Sequence, residues 1–277
     1  MRGSVAGSAP WSTGLTRRWR GPPPLAAEGD VDVLRAALGA AVAGAPTAIE
    51  AADRLCVACV ELLEVDGASV SLIHHGATRG TFGSSGALSR RLDELQFTFG
   101  EGPCLDAVAS GLPVFAADLR SPGEHRWPVF TGALAGHGIM AVFALPVSIA
   151  THRIGALDLY REQAGALSDR SLNGGLLAAE LAALPLLDLM SSELDWAEAA
   201  EGGDGWQQLA SLERVEVYQA TGMIIAALGV DAVEALLLLR ARAFATGTTA
   251  SALAYDIVER TVRLEGQDWE PPRRTTS

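Results

Sequence analysis

The chain has 277 residues, of which 49% are hydrophobic, and its 33 acidic and 21 basic side chains leave a net charge of −12. That length and apolar content suffice for two modest cores, and the negative balance argues against a general nucleic-acid coat or an anionic membrane partner. All 21 basic residues are arginine, so P-loop, Schiff-base and lysine-nucleophile chemistry are excluded.

Residues 1–29 are rich in Gly, Pro, Ser and Arg, include Pro22-Pro23-Pro24, and carry no apolar stretch of signal-peptide length; they read as a disordered leader. From residue 30 to 190 helical and strand periods alternate. Pro46 to Leu63 predicts a helix and Ala68 to His74 a strand. Met140 to Ile149 and Arg153 to Tyr160 predict a strand pair that turns at Ala150-Thr151-His152. Strands in a meander between flanking helices imply an α+β fold with an antiparallel sheet.

In the middle of this region stands Gly100-Glu101-Gly102-Pro103-Cys104-Leu105-Asp106-Ala107. Pro103 suits the first turn of a short helix, where its missing N–H is not needed, and Gly111 suits the end. With Pro113-Val114-Phe115, Asp118-Leu119, Arg126-Trp127-Pro128, Gly138-Ile139, Ala144-Leu145-Pro146-Val147 and the run from Ile154 to Tyr160, this block resembles the GAF sensor domain, in the form found beside ANTAR modules in actinobacterial proteins. The resemblance covers about Ala45 to Met190. It implies a PAS-like sheet whose pocket holds a small-molecule ligand or serves as a dimerising signal module, and it leaves the ligand and any cofactor unnamed.

The residues singled out for that pocket are Cys104, Glu101, Asp118 and His137. Cys104 falls in the first turn of the short helix, where the helix dipole and free amides lower a thiol's pKa, which suits a redox-sensing or ligand-touching thiol. His137 is the one histidine retained as a buried axial ligand of a haem. Cys56-Val57-Ala58-Cys59 has metal or redox spacing, but it lies within a predicted amphipathic helix and reads as core. No second cysteine pair completes a four-ligand zinc site. GAF proteins that reduce methionine sulfoxide place cysteine pairs around the pocket, whereas only Cys104 is near a loop here. No Ser/His/Asp constellation, carboxylate pair or metal triad has supporting spacing, so no catalytic residue and no metal ligand is assigned, and the chain reads as a non-enzyme.

Ser168 can cap a helix running through Leu172, Leu176, Leu177, Leu181 and Leu184, with Pro185 predicted to kink or break it and a helical pattern resuming from Leu186 to Ala200. Asn173, Glu180, Pro185 and Asp188 interrupt the long apolar run, so no membrane span is expected and a cytoplasmic protein is. Residues 191–205, with Gly202-Gly203-Asp204-Gly205, read as a linker. Trp206, Leu209, Leu212, Val215 and Gln219 then share a stripe suited to pairing with a second protomer.

Residues 206–264 read as three short helices. Gly229 suits a left-handed helix end, and Asp231 with Glu234 three residues on suits a helix cap. Gln219-Ala220-Thr221-Gly222-Met223, Glu234-Ala235, Leu239-Arg240 with Ala243, and Ala254 with Ile257-Val258 together resemble the ANTAR domain, a three-helix RNA-binding module of bacterial transcription antiterminators. Membership implies binding of paired RNA stem-loops in a nascent transcript, which stops an overlapping terminator from forming. Arg240 and Arg242 are the central RNA-binding residues on that reading, on a face clustered and duplicated in a homodimer, with Arg214, Thr221 and Thr248 beside them. Thr221 stands where many members carry Lys, and residues 206–264 hold five arginines against six acids, a thin field for phosphate contacts. The reading is therefore a signal-responsive antiterminator, and the alternative is a redox or small-molecule GAF sensor whose ANTAR-like helices serve dimerisation without RNA. Residues 265–277 read as a disordered tail.

Overall fold

A computed structural model describes residues 28–74, 77–194 and 214–264. His75, the greater part of the leader and linker, the stripe residues from Trp206 to Leu212, and the tail lie outside the described residues.

Helices α1 (Glu28–Val42) and α2 (Ala48–Leu62) precede a hairpin of β1 (Gly67–His74) and β2 (Ala77–Ser84). Helices α3 (Ala87–Phe99) and α4 (Pro103–Ser110) follow, then β3 (Val114–Ala116), α5 (Pro128–Gly136), and the pair β4 (Ala141–Ile149) and β5 (His152–Arg161). The five strands form one antiparallel sheet in the order β2-β1-β5-β4-β3. The expected turn between β4 and β5 is a two-residue one, since Ile149 pairs with His152, and Ala150 there adopts a left-handed φ of 52°. Helix α6 (Asp169–Leu194) runs through Pro185 as one element, so of the predicted kink or break the break does not occur. Its packing along the sheet and against α1 and α2 holds the turn that lacks the proline N–H.

Alternation along the strands decides what each sheet face touches. Leu157 and Leu159 of β5, Ala68 and Val70 of β1, and Phe143 and Leu145 of β4 join the main apolar core with α1, α2 and α6. Cys56 and Cys59 are fully buried in that core. The intervening residues Ser69, Ser71, Asp158 and Tyr160 face the other way, toward α3 and α4, and are also fully buried.

Three more helices complete the described chain, α7 (Val215–Leu228), α8 (Ala232–Ala245) and α9 (Ala250–Val258). Gly229 ends α7 at φ 68°, and the Asp231 side chain accepts the Glu234 N–H at 2.8 Å, as the local sequence predicts. The three helices share a small core of Val217, Ala220, Ile224, Leu239, Leu253 and Ile257. Phe97 of α3 belongs to the same cluster, so the unit is packed onto the sheet domain.

Leu157 is wholly buried at the centre of the sheet. Leu157→Ala should lower the unfolding free energy by about 2–5 kcal/mol, through lost transfer energy and a residual cavity, as read by chemical denaturation.

Candidate functional site

The polar side chains between the sheet and α3/α4 form one connected network. Asp93 of α3 accepts hydrogen bonds from the Ser71 hydroxyl on Oδ1 and from the Thr81 hydroxyl on Oδ2. Gln96, one turn on, donates its amide N–H to Asp158 Oδ2 and accepts the Cys104 backbone N–H at 3.0 Å. The Tyr160 hydroxyl donates to the same Asp158 oxygen at 3.3 Å and lies 3.1 Å from the Ser69 hydroxyl. Asp158 Oδ1 is buried and has no hydrogen-bond partner.

Backbone geometry around α4 is built for this arrangement. Gly100 ends α3 with φ 68°, and Gly102 precedes α4 with φ 149°. A Cβ at residue 102 would fall on the Gln96 side-chain oxygen, so only glycine lets Gln96 reach the Cys104 amide. Pro103 starts α4 and Gly111 ends it at φ 74°, as expected.

Burial governs the protonation of the network. It raises Asp93 from its ordinary value, against the opposing charge of Arg214 and the hydroxyl hydrogen bonds. Burial, followed by the charge of Asp93, pushes Asp158 up to about 8. Cys104 is raised well above the usual thiol value by burial and then by Asp158 and Asp93. This direction is opposite to the one expected from its place at a helix start, because desolvation of a fully enclosed thiolate outweighs a helix dipole.

The other pocket residues singled out from the sequence do not meet Cys104. Glu101 Oε1 accepts the backbone N–H groups of Val129 and Phe130, at 2.8 and 2.9 Å, and so caps α5. Asp118 is exposed and accepts the Arg120 N–H, closing its own turn. His137 ends α5 exposed to solvent, so it is not a buried axial ligand. A surface groove of about 540 Å³ runs beside α4 and the β4–β5 turn, lined in part by Leu105, Val108 and Arg153. Leu105 and Val108 pack in the same small apolar cluster as Cys104, which places the thiol behind the groove wall.

Helix α3 carries a second set of contacts on its adjacent stripe. Arg214, in the left-handed conformation at φ 47° just before α7, donates through Nε and Nη2 to Glu94 Oε1 at 3.1 and 2.8 Å. Its Nη2 stands 4.0 Å from Asp93 Oδ2. The guanidinium groups of Arg214 and Arg240 lie over the Phe97 ring, 4.0 and 4.7 Å from its centroid. Ser251 donates to Glu94 Oε2, Thr98 accepts the Ala250 N–H, and Arg91 donates to the Gly247 carbonyl. Phe99 meets Phe244 edge-to-face with centroids 5.8 Å apart.

The residues proposed as one arginine face are therefore separated. Arg240 is half-buried on Phe97, while Arg242, two residues on, cannot share its side of α8. The Thr221 hydroxyl donates to the Val217 carbonyl within its own helix, and Thr248 is half-buried at the turn before α9. Sequence reasoning missed Asp93, Glu94, Gln96 and Phe97. Leu88, Leu92, Leu95 and Phe99 form an ordinary apolar stripe at helical spacing, so nothing local marks the polar residues beside it as buried.

The sequence offers no metal triad by spacing, yet the fold brings three possible ligand side chains together among the described residues. Asp93, Cys104 and Asp158 are all buried, and each offers a ligand atom within 4.8 Å of the others. Their separation in sequence hid the cluster.

With a chelator present, Asp158 stabilises the folded chain at low pH, since its folded value lies above the unfolded 3.8. That contribution is lost as pH rises from 3.8 toward about 8. Asp158→Asn should flatten the fall of the melting temperature across this window. None of the three buried thiols should react with a thiol reagent at neutral pH until the chain unfolds, as stopped labelling and mass spectrometry will read.

Comparison with known proteins adds the family. A search of curated proteins gives no match. Among solved structures, the GAF domain of a phosphoenolpyruvate-protein phosphotransferase from Coxiella burnetii is similar, with 18% identity and a TM-score of 0.45, over 60% of this chain and 98% of that one. The corresponding domain from Acinetobacter gives 12% identity and 0.46 over 61% and 99%. A type II free methionine-R-sulfoxide reductase from Thermoplasma acidophilum gives 19% and 0.41 over 51% and 92%. The GAF domain family model matches residues 46–184, which span every strand of the sheet and the helices that enclose the network; the chain belongs to the GAF domain family.

Proposed function

We propose that this chain is a signal-responsive, RNA-binding transcription antiterminator. In this reading the GAF domain senses a signal, and α7 to α9 act as an ANTAR module that binds paired RNA stem-loops from a homodimer. The observation that carries the reading is the double use of α3. Asp93 and Gln96 enter the buried network, while Glu94, Phe97 and Thr98 of the same helix hold the three-helix unit. A change of charge or shape in the sensor interior therefore reaches the place where two of the proposed RNA-binding arginines are held. Arg214 and Arg240 contact RNA only if the unit leaves Phe97, which makes the described arrangement the resting one.

Leu176, Leu184 and Leu187 of α6 are exposed at helical spacing, and a second copy covering them would bring two modules together. Among the described residues no single helix is long and apolar enough to cross a membrane, which supports the cytoplasmic reading. No enzyme activity is required.

The engagement of both arginines inside the chain favours one second reading, in which the GAF domain is a redox or small-molecule sensor and the helices serve dimerisation alone. Fluorescence anisotropy with a two-hairpin RNA and a loop-scrambled control, at low and moderate salt, separates the two. The antiterminator binds in a loop-dependent, salt-weakened manner. Phe97→Ala should tighten binding about tenfold, the effect of removing a restraint of about 1.4 kcal/mol, and Arg240→Ala/Arg242→Ala should abolish it. If wild type, Phe97→Ala and both redox states all lack loop-dependent binding, the assembly reading stands.

A further inference from the structure

We propose that Asp93, Cys104 and Asp158 form a binding site for one divalent transition-metal ion. The three side chains come from different elements, the middle of α3, the first turn of α4 and the centre of β5. Their ligand atoms lie within 4.8 Å of one another. Tetrahedral ligands with metal–oxygen and metal–sulfur bonds of about 2.0–2.3 Å stand roughly 3.3–3.8 Å apart, so binding draws the three atoms in by small side-chain rotations.

A second observation is independent of this proximity. Asp158 directs both of its hydrogen bonds, from Gln96 and Tyr160, to Oδ2 and keeps Oδ1 buried with no partner. A buried carboxylate oxygen left unsatisfied is costly, and a cation is the partner such an oxygen lacks. Asp93 meets the Arg214 guanidinium only at 4.0 Å, while that guanidinium donates to Glu94 at 2.8 and 3.1 Å.

The groups around the ligands are those that orient a metal's first ligands. Ser71 and Thr81 fix the Asp93 carboxylate, and Gln96 fixes Asp158 while holding the backbone of Cys104. Two carboxylates and a thiolate form a mixed hard and soft set, which disfavours magnesium and calcium with their all-oxygen shells and suits zinc, iron(II) or cobalt(II). Three protein ligands leave one tetrahedral position for water or an exogenous ligand. Binding replaces the thiol proton and, at neutral pH, the proton carried by the Asp158 carboxyl, and releases both to solvent. Leu105 and Val108, which line the surface groove, pack in the same cluster as Cys104. The inference concerns the sensor interior and does not rest on RNA binding.

The test is titration of chelator-stripped full-length protein with cobalt(II), followed by zinc(II) competition. Wild type should bind one equivalent and develop the near-ultraviolet thiolate-to-cobalt band, which zinc removes. Cys104→Ser should lose the band, and Asp158→Asn should weaken affinity at least about tenfold. Cys56→Ser/Cys59→Ser should keep both band and stoichiometry, which guards against a variant that fails to fold. Lack of saturable one-to-one binding by wild type, a band that survives in Cys104→Ser, or a band that vanishes with Cys56 and Cys59 overturns the proposal. No RNA is present, so the outcome is separate from that of the antiterminator reading.

Discussion

Helix α3 is the constraint on which the rest of the structure depends. At about 3.6 residues per turn, Ser89, Leu92, Asp93 and Gln96 fall on one stripe, and Arg91, Glu94, Phe97 and Thr98 fall on the next. The first stripe closes over the sheet and supplies two members of the buried network. The second supplies the ion pair, the aromatic ring and the helix-end hydrogen bond that hold the three C-terminal helices. A short, nearly rigid rod thus has one edge in the sensor interior and the other in the output unit, with Asp93 and Glu94 adjacent in sequence and both within reach of Arg214.

The interior that this helix closes is unusual in what it contains. One face of the sheet is an ordinary apolar core, while the other buries two carboxylates, a phenol, hydroxyls and a thiol behind α3 and α4. Removing those groups from water is repaid only where each finds a partner, and the network does this for every one of its oxygens except Asp158 Oδ1. The leftover oxygen and the gathering of two carboxyls with a thiol set this side of the sheet apart from the apolar core on the other.

Much of the local architecture was legible. The hairpin of β4 and β5, the short helix opened by Pro103 and closed by Gly111, and the break at Gly229 followed by the Asp231 cap all rest on interactions within four residues. The GAF assignment rests on many such blocks in order. Errors appeared where a residue's neighbours came from elsewhere. Cys104 looked activated from its place at a helix start, yet enclosure by β1, β5 and α4 raises its pKa. Glu101 looked like a pocket carboxylate and proved to be the cap of a helix 28 residues away. Pro185 left a kink and a break both open in the sequence, and packing carried α6 through it as one helix.

Sequence alone determined the periodicities, the turn chemistry and the family, because hydrophobic spacing, glycine at positive φ and capping side chains act over one or two turns of chain. Tertiary structure decided which polar residues lie inside. Asp93 and Asp158 are 65 positions apart, and nothing near either one distinguishes a solvated carboxylate from a buried one. Only the crossing of α3 over the antiparallel sheet brings them to Cys104, and only the seating of the C-terminal helices on Phe97 turns Arg214 and Arg240 from surface charges into contacts of the chain with itself.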